Sequence, residues 1–141
     1  MKFVIDASVL AKVVVKEKDS DKALKLMEAH TDGKIELSAP SLIIYEVGNV
    51  LWRHKMDAKS LFAYIRNLLS LGIKLVDLHA EEELLEETCE ISKIKDLTFY
   101  DASYLSVAEV LNTRLVTVDK EMMRKAGEYV ISMDEVENFH G

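Results

Sequence analysis

The 141-residue chain carries 18 basic and 25 acidic side chains, a net charge of −7 and one cysteine. That length suits a single domain (1–141) that buries about two thirds of its unfolded surface, and a lone Cys89 excludes an internal disulfide and fits a reducing cytoplasm. The acidic balance, taken at face value, argues against a polyanionic partner, and no apolar run reaches the ~18 residues of a membrane span.

The elements then alternate. Lys2 to Ile5 is a short apolar strand ended by Asp6, and Ala7 to Lys16 continues as a helix. The stretch FVIDASVLAKVVV is apolar enough to suggest a leader, but Asp6 and Lys12 interrupt it and no small-residue cleavage site follows. A second helix spans about Ser20 to His30 and stops before Gly33, and Ile35 to Ala39 is a strand closed by Pro40, the only proline. Ser41 is expected to cap a helix reaching about His54, and Asp57 caps another that ends at Gly72. Ile73 to Leu78 reads as the third strand and Ala80 to Lys93 as an acidic helix, with Cys89 as a small core residue rather than a nucleophile.

Thr98 to Asp119, TFYDASYLSVAEVLNTRLVTVD, forms one helix–turn–strand unit. Thr98 with Asp101 three residues on is a capping pattern. Tyr104, Leu105, Val107, Ala108 and Leu111 supply the apolar stripe, Asn112 suits the stop, and Arg114 to Val118 is a β-branched strand. A short helix to Ala126, a strand at Tyr129 to Ser132 and a terminal turn capped by Ser132 with Glu135 complete the chain.

Strands separated by helices, with loops of a few residues, predict a three-layer α/β/α sandwich around a parallel sheet of about five strands. No GxGxxG or Walker pattern occurs, so nucleotide cofactors lose their usual support. His30, His54, His79 and His140 lack metal-ligand spacing, which argues against zinc.

Ligands of such folds bind beyond the carboxyl ends of the strands. Asp6 and Asp119 end strands there, Glu46 follows the second strand within two helical turns, and Asp101 opens the helix before the fourth. Two carboxylates roughly 5 Å apart repel by about 3 kcal/mol at an effective dielectric near 20, so four together call for a hard divalent cation, Mg²⁺ or Mn²⁺. Each acid has a plainer reading beside this one. Asp6, Asp101 and Asp119 suit helix caps, each worth about 1 kcal/mol. Glu46 has no such excuse within the apolar IIYEV segment. Ser8 can hold the Asp6 carboxylate, Thr117 is equally an ordinary strand residue, and Asn49 either orients a ligand or satisfies its helix.

FVIDASVLAKV, SLIIYEVGNVL and TFYDASYLSVAEVLNTRLVTVD together resemble a PIN domain, specifically the VapC-type toxin ribonucleases. The resemblance spans nearly the whole chain. It implies a four-acid site of Asp6, Glu46, Asp101 and Asp119 that binds Mg²⁺ or Mn²⁺ and cuts single-stranded or loop RNA, with Ser8 and Asn49 at accompanying polar positions. It also implies a homodimer inhibited by a cognate antitoxin. Trp52, Met56, Leu61, Phe62, Tyr64 and Ile65 offer apolar surface for such partners. The acidic balance is less of an obstacle once the four acids are set aside, and Lys12, Lys16, Arg53, Lys55, Lys120, Arg124 and Lys125 are candidate phosphate contacts.

Two other classes stay open. A receiver-like phosphoacceptor domain would want an acid pair after the first strand, where this chain has DAS, and an acceptor aspartate at the third, where Asp77 precedes Leu78 and His79. A non-catalytic PIN-like module acting by protein binding is the other, and the complete acid set disfavours it.

Overall fold

In the computed structural model, which describes residues 1–140, five parallel strands form one sheet. They are β1 (Lys2–Ile5), β2 (Glu36–Pro40), β3 (Lys74–Val76), β4 (Leu115–Val116) and β5 (Val130–Ile131), in the order β3-β2-β1-β4-β5. Phe3, Val4 and Ile5 are buried because the central strand is covered on both faces. The helices are α1 (Ala7–Val14), α2 (Ser20–Thr31), α3 (Leu42–Arg53), α4 (Ala58–Leu69), α5 (Glu82–Lys95), α6 (Phe99–Val110), α7 (Lys120–Lys125) and α8 (Met133–His140).

Crossover handedness sorts them into layers. The chain steps outward from β1 to β2 to β3 through α1 to α4, then returns across the sheet through α5 and α6 to reach β4, so right-handed connections put the two groups on opposite faces. The packing agrees: α1 touches α2 and α3, and α2 touches α8, while α6 lies on β1 and β2 with α5 over it. The direction of winding reverses between β1 and β4, which makes the carboxyl ends of those two strands the topological switch point. A receiver-like sheet would instead run 2-1-3-4-5. The order found here is a different one.

Local chemistry accounts for most element ends. The side chains of Asp6, Asp57, Thr98 and Asp119 accept backbone N–H groups at the starts of α1, α4, α6 and α7. Asn112 adopts φ 52°, the left-handed conformation that ends α6. Ser132 and Glu135 bond reciprocally, each backbone N–H to the other's side chain at 3.1 Å.

Several expectations need correction. The terminal segment is a helix, α8, because that capping box is followed by Val136, which is fully buried. The third strand keeps only Lys74–Val76 and passes into a 3₁₀ turn, Leu78–Ala80, as befits an edge strand whose Lys74 and Leu75 are exposed. Ser41 makes no cap bond; its hydroxyl donates to Asp77 Oδ1 at 2.5 Å. Cys89 is exposed, since α5 buries Leu84, Thr88 and Ile91, and the next residue after Thr88 turns away from that face.

Candidate functional site

Register brings the first two groups together. Ile5 pairs with Val116, so the residues that follow them, Asp6 and Thr117, leave the sheet side by side. The Thr117 hydroxyl donates to Asp6 Oδ2, and Ser8 donates to Oδ1 at 2.5 Å. Ser8 Oγ also accepts from the Val118 N–H at 3.2 Å, which ties the two strand ends together. Asp6 is only 5% exposed. Burial pushes its carboxyl up to about 6, with repulsion from Asp119 adding to the rise and the bonds from Ser8, Thr117 and Val9 N–H opposing it.

Asp119 caps α7, its Oδ1 accepting from Met122 N–H at 2.9 Å, and its own N–H donates to Thr117 Oγ1 at 3.0 Å. Asp101 lies in the first turn of α6, where its N–H donates to the Thr98 hydroxyl at 3.1 Å. Its carboxyl is held above the usual range by partial burial, then by the charges of Asp119 and Glu46, with the Thr98 hydroxyl partly opposing. Glu46, half-buried on α3, accepts a hydrogen bond at 2.5 Å from the hydroxyl of Tyr104 on α6. The four acids therefore sense one another: Asp6 with Asp119, and Asp101 with both Asp119 and Glu46.

Tyr104 was assigned to the apolar stripe, and burial at 1% exposure bears out that half of its role. Its hydroxyl was missed. The signal was present, because a buried phenol needs a partner and Tyr104 lies three residues beyond Asp101, on the same helix face. Burial, followed by Glu46 as acceptor and charge, drives the phenol far above its ordinary range, so it stays a donor.

A cleft of about 600 Å³ opens over this edge, lined by Ser8, Glu46, Asn49 and Asp119, and on its basic side by Lys12 and Arg53. Asp6 and Asp101 lie outside the lining. Asn49 is exposed one turn along α3 from Glu46. A larger hollow of about 720 Å³ lies where Met1, Lys2, Asn112 and Arg114 meet, at the amino ends of the strands, the edge where parallel sheets do not place ligands. We therefore assign the site to the smaller cleft.

Among the described residues, no three His, Cys, Asp or Glu side chains are drawn close enough to hold a metal ion as they stand. Asp6, Glu46 and Asp119 each accept a hydrogen bond from a neutral donor. The donor chemistry nonetheless fits a hard cation. All four groups are carboxylates; burial is the main cause that raises Asp6 and Asp101, and the neighbouring acids Asp119 and Glu46 add to it.

Comparison with known proteins agrees with this fold. Residues 3–128 match the PIN domain. The chain is 30% identical over 128 residues to ribonuclease VapC3 of Pyrobaculum aerophilum, covering 89% of this chain and 95% of the relative. It is 35% identical over 111 residues to exonuclease VapC9 of the same organism, covering 73% and 80%. The crystal structure of PAE2754 from P. aerophilum superposes with a TM-score of 0.68 at 28% identity, covering 96% of this chain and 86% of that one. A parallel sheet in this order, with the matched span running from β1 through α7, places the chain in the PIN domain family, as a protein of VapC type.

Proposed function

We propose that this protein is a metal-dependent endoribonuclease, the toxin of a type II toxin–antitoxin pair. The observation that carries the reading is geometric: beside the switch point Thr117 joins the Asp6 carboxylate to the Asp119 backbone, and Glu46 and Asp119 line one cleft, with Asp101 near enough for the charges of both to add to the burial that raises its carboxyl. The names of the two relatives, a ribonuclease and an exonuclease, support nucleic-acid hydrolysis.

In this reading Asp6, Glu46, Asp101 and Asp119 hold Mg²⁺ or Mn²⁺. When bound, the metal acidifies a water and neutralises charge on a phosphodiester. Ser8 and Thr117 donate to both oxygens of Asp6, and Tyr104 Oη donates to Glu46 Oε1, so these neutral donors hold the carboxylates beside the site and would give up part of that bonding to a cation. Asn49 and Arg53 line the cleft where a phosphate would lie. Hydrolysis leaves a 3′-hydroxyl and a 5′-phosphate. Chelation with EDTA is expected to abolish cleavage and added Mn²⁺ to restore it, whereas activity that persists in chelator removes the metal from the scheme.

A circular single-stranded RNA separates internal from terminal cutting. Conversion to a linear product supports the endonuclease; an intact circle beside a degraded linear strand of the same sequence overturns that part. Tyr104→Phe keeps the packed ring and deletes one bond to Glu46. It is expected to raise the Mn²⁺ needed for half-maximal cleavage by about tenfold or more, with the melting temperature little changed. An unaltered Mn²⁺ titration would make Tyr104 purely a core residue.

A protein partner is suggested by α4, which buries only Leu68 and leaves Phe62 and Leu69, seven residues apart, exposed on one flank. Met56, Leu61 and Ile65 instead pack on the core. We assign this flank to a second copy or to an antitoxin. No helix among the described residues is long and apolar enough to cross a membrane.

A further inference from the structure

We propose that Tyr45 and Tyr100 stack on two unpaired bases flanking the phosphodiester at the acids, so that strandedness of the RNA governs cleavage. The inference rests on the nuclease reading above and deepens it.

Tyr45 is 77% exposed and Tyr100 is 61% exposed, on α3 and α6 respectively. A solitary exposed ring on a protein surface asks for no explanation. These two line the same cleft, and each directly precedes a site acid, Tyr45 before Glu46 and Tyr100 before Asp101. Tyr45, Asn49 and Arg53 also follow one another at four-residue intervals, so a ring, an amide and a guanidinium form a stripe about 12 Å long on α3. All three are exposed and all three line the cleft.

The charges in the cleft point to the same ligand. Lys12 is occupied, its ammonium bound to Glu17 at 3.2 Å and to the Lys18 carbonyl at 2.9 Å. Among the described residues Arg53 makes no ion pair, which leaves its guanidinium available to a phosphate. A ring–amide–guanidinium track suits a chain that alternates flat faces with anions. Bases in a duplex present their faces only to one another, so the two rings can engage RNA only where bases are splayed out. Because every base has a π-face, the rings select for unpaired nucleotides and not for a particular base.

The test uses the whole protein in EDTA with a labelled oligouridine strand and a hairpin RNA as probes, followed by cleavage in Mn²⁺. Tyr45→Ala and Tyr100→Ala are each expected to weaken binding of the single strand roughly tenfold and to raise KM with little change in kcat. Tyr45→Phe and Tyr100→Phe should stay within about twofold of the parent, since stacking needs the ring and not the hydroxyl. Hairpin stems should bind equally to all five proteins. If the parent cuts RNA and the alanine variants bind and cut it equally well, stacking is overturned, the rings belong to a protein partner, and the nuclease reading survives. If the parent neither binds nor cuts single-stranded RNA in Mn²⁺, the nuclease reading fails and this proposal fails with it.

Discussion

Asp101→Asn is expected to lower RNA cleavage by about three orders of magnitude while the protein melts at or above the parent temperature. The two halves of that expectation have one cause. The Asp101 carboxyl is half-buried and faces the charges of Asp119 and Glu46, which is why its proton affinity is raised. An amide of the same shape removes this repulsion, so the metal-free fold gains. Under the proposed function it also removes one of four anionic groups that would hold the cation, so the cation would be held less well and its charge less well placed. Asparagine leaves the backbone bond from residue 101 to Thr98 untouched, which keeps α6 in place. Cleavage within tenfold of the parent, under saturating Mn²⁺, would reduce Asp101 to a residue of the helix cap.

Asp6→Asn should stabilise the metal-free protein at pH 7 to 8, and the gain should vanish near pH 4. The folded carboxyl titrates at about 6 against a usual value of 3.8, so the native state binds this proton more tightly than the unfolded chain does. Stability from that difference is fully present below 3.8 and is lost as the pH climbs through about 6. Above that, keeping the charged group buried costs about 3 kcal/mol. Asparagine avoids most of this cost and still accepts at the start of α1, although it forgoes the charge-assisted bonds from Ser8 and Thr117. A net gain of about 1–3 kcal/mol corresponds to a melting temperature higher by roughly 5–10 °C. Added Mn²⁺ should narrow the gap, because a cation favours the aspartate. Thermal melts in EDTA across this pH range decide the matter, and a variant less stable than the parent at pH 8 would show that the buried charge is already compensated.

Much of this site was legible before any coordinates because it is built from local signals. Asp6 and Asp119 follow β-branched runs, and Thr98 announces the helix that carries Asp101. The capping reading of Asp6 and Asp119 holds, and it leaves room for the proposed one, since Asp119 lies near enough to Asp6 for its charge to add to the rise of that carboxyl. Glu46 could be singled out by its mismatch with the apolar residues around it. What could not be read was pairing across elements. The Tyr104 hydroxyl meets Glu46 across 58 positions, and Thr117 meets Asp6 only because β4 lies against β1 in a set register. The same blindness misplaced Cys89, since whether it or Thr88 faces α6 depends on the angle at which α5 docks, and there the Thr88 hydroxyl pairs with Ser106 at 2.5 Å.

The double duty of Asp6 and Asp119 has a bearing on how such a protein could be silenced. Each closes the first turn of a helix with the same carboxylate that contributes to the acidic rim. Under the proposed function, asparagine, serine or threonine at either position would remove a site carboxylate yet still seal that turn, whereas alanine would fray it as well, at about 1 kcal/mol. If the proposed toxin function holds, an inactive variant of this kind would keep its shape, and with it any surface that a protein partner binds.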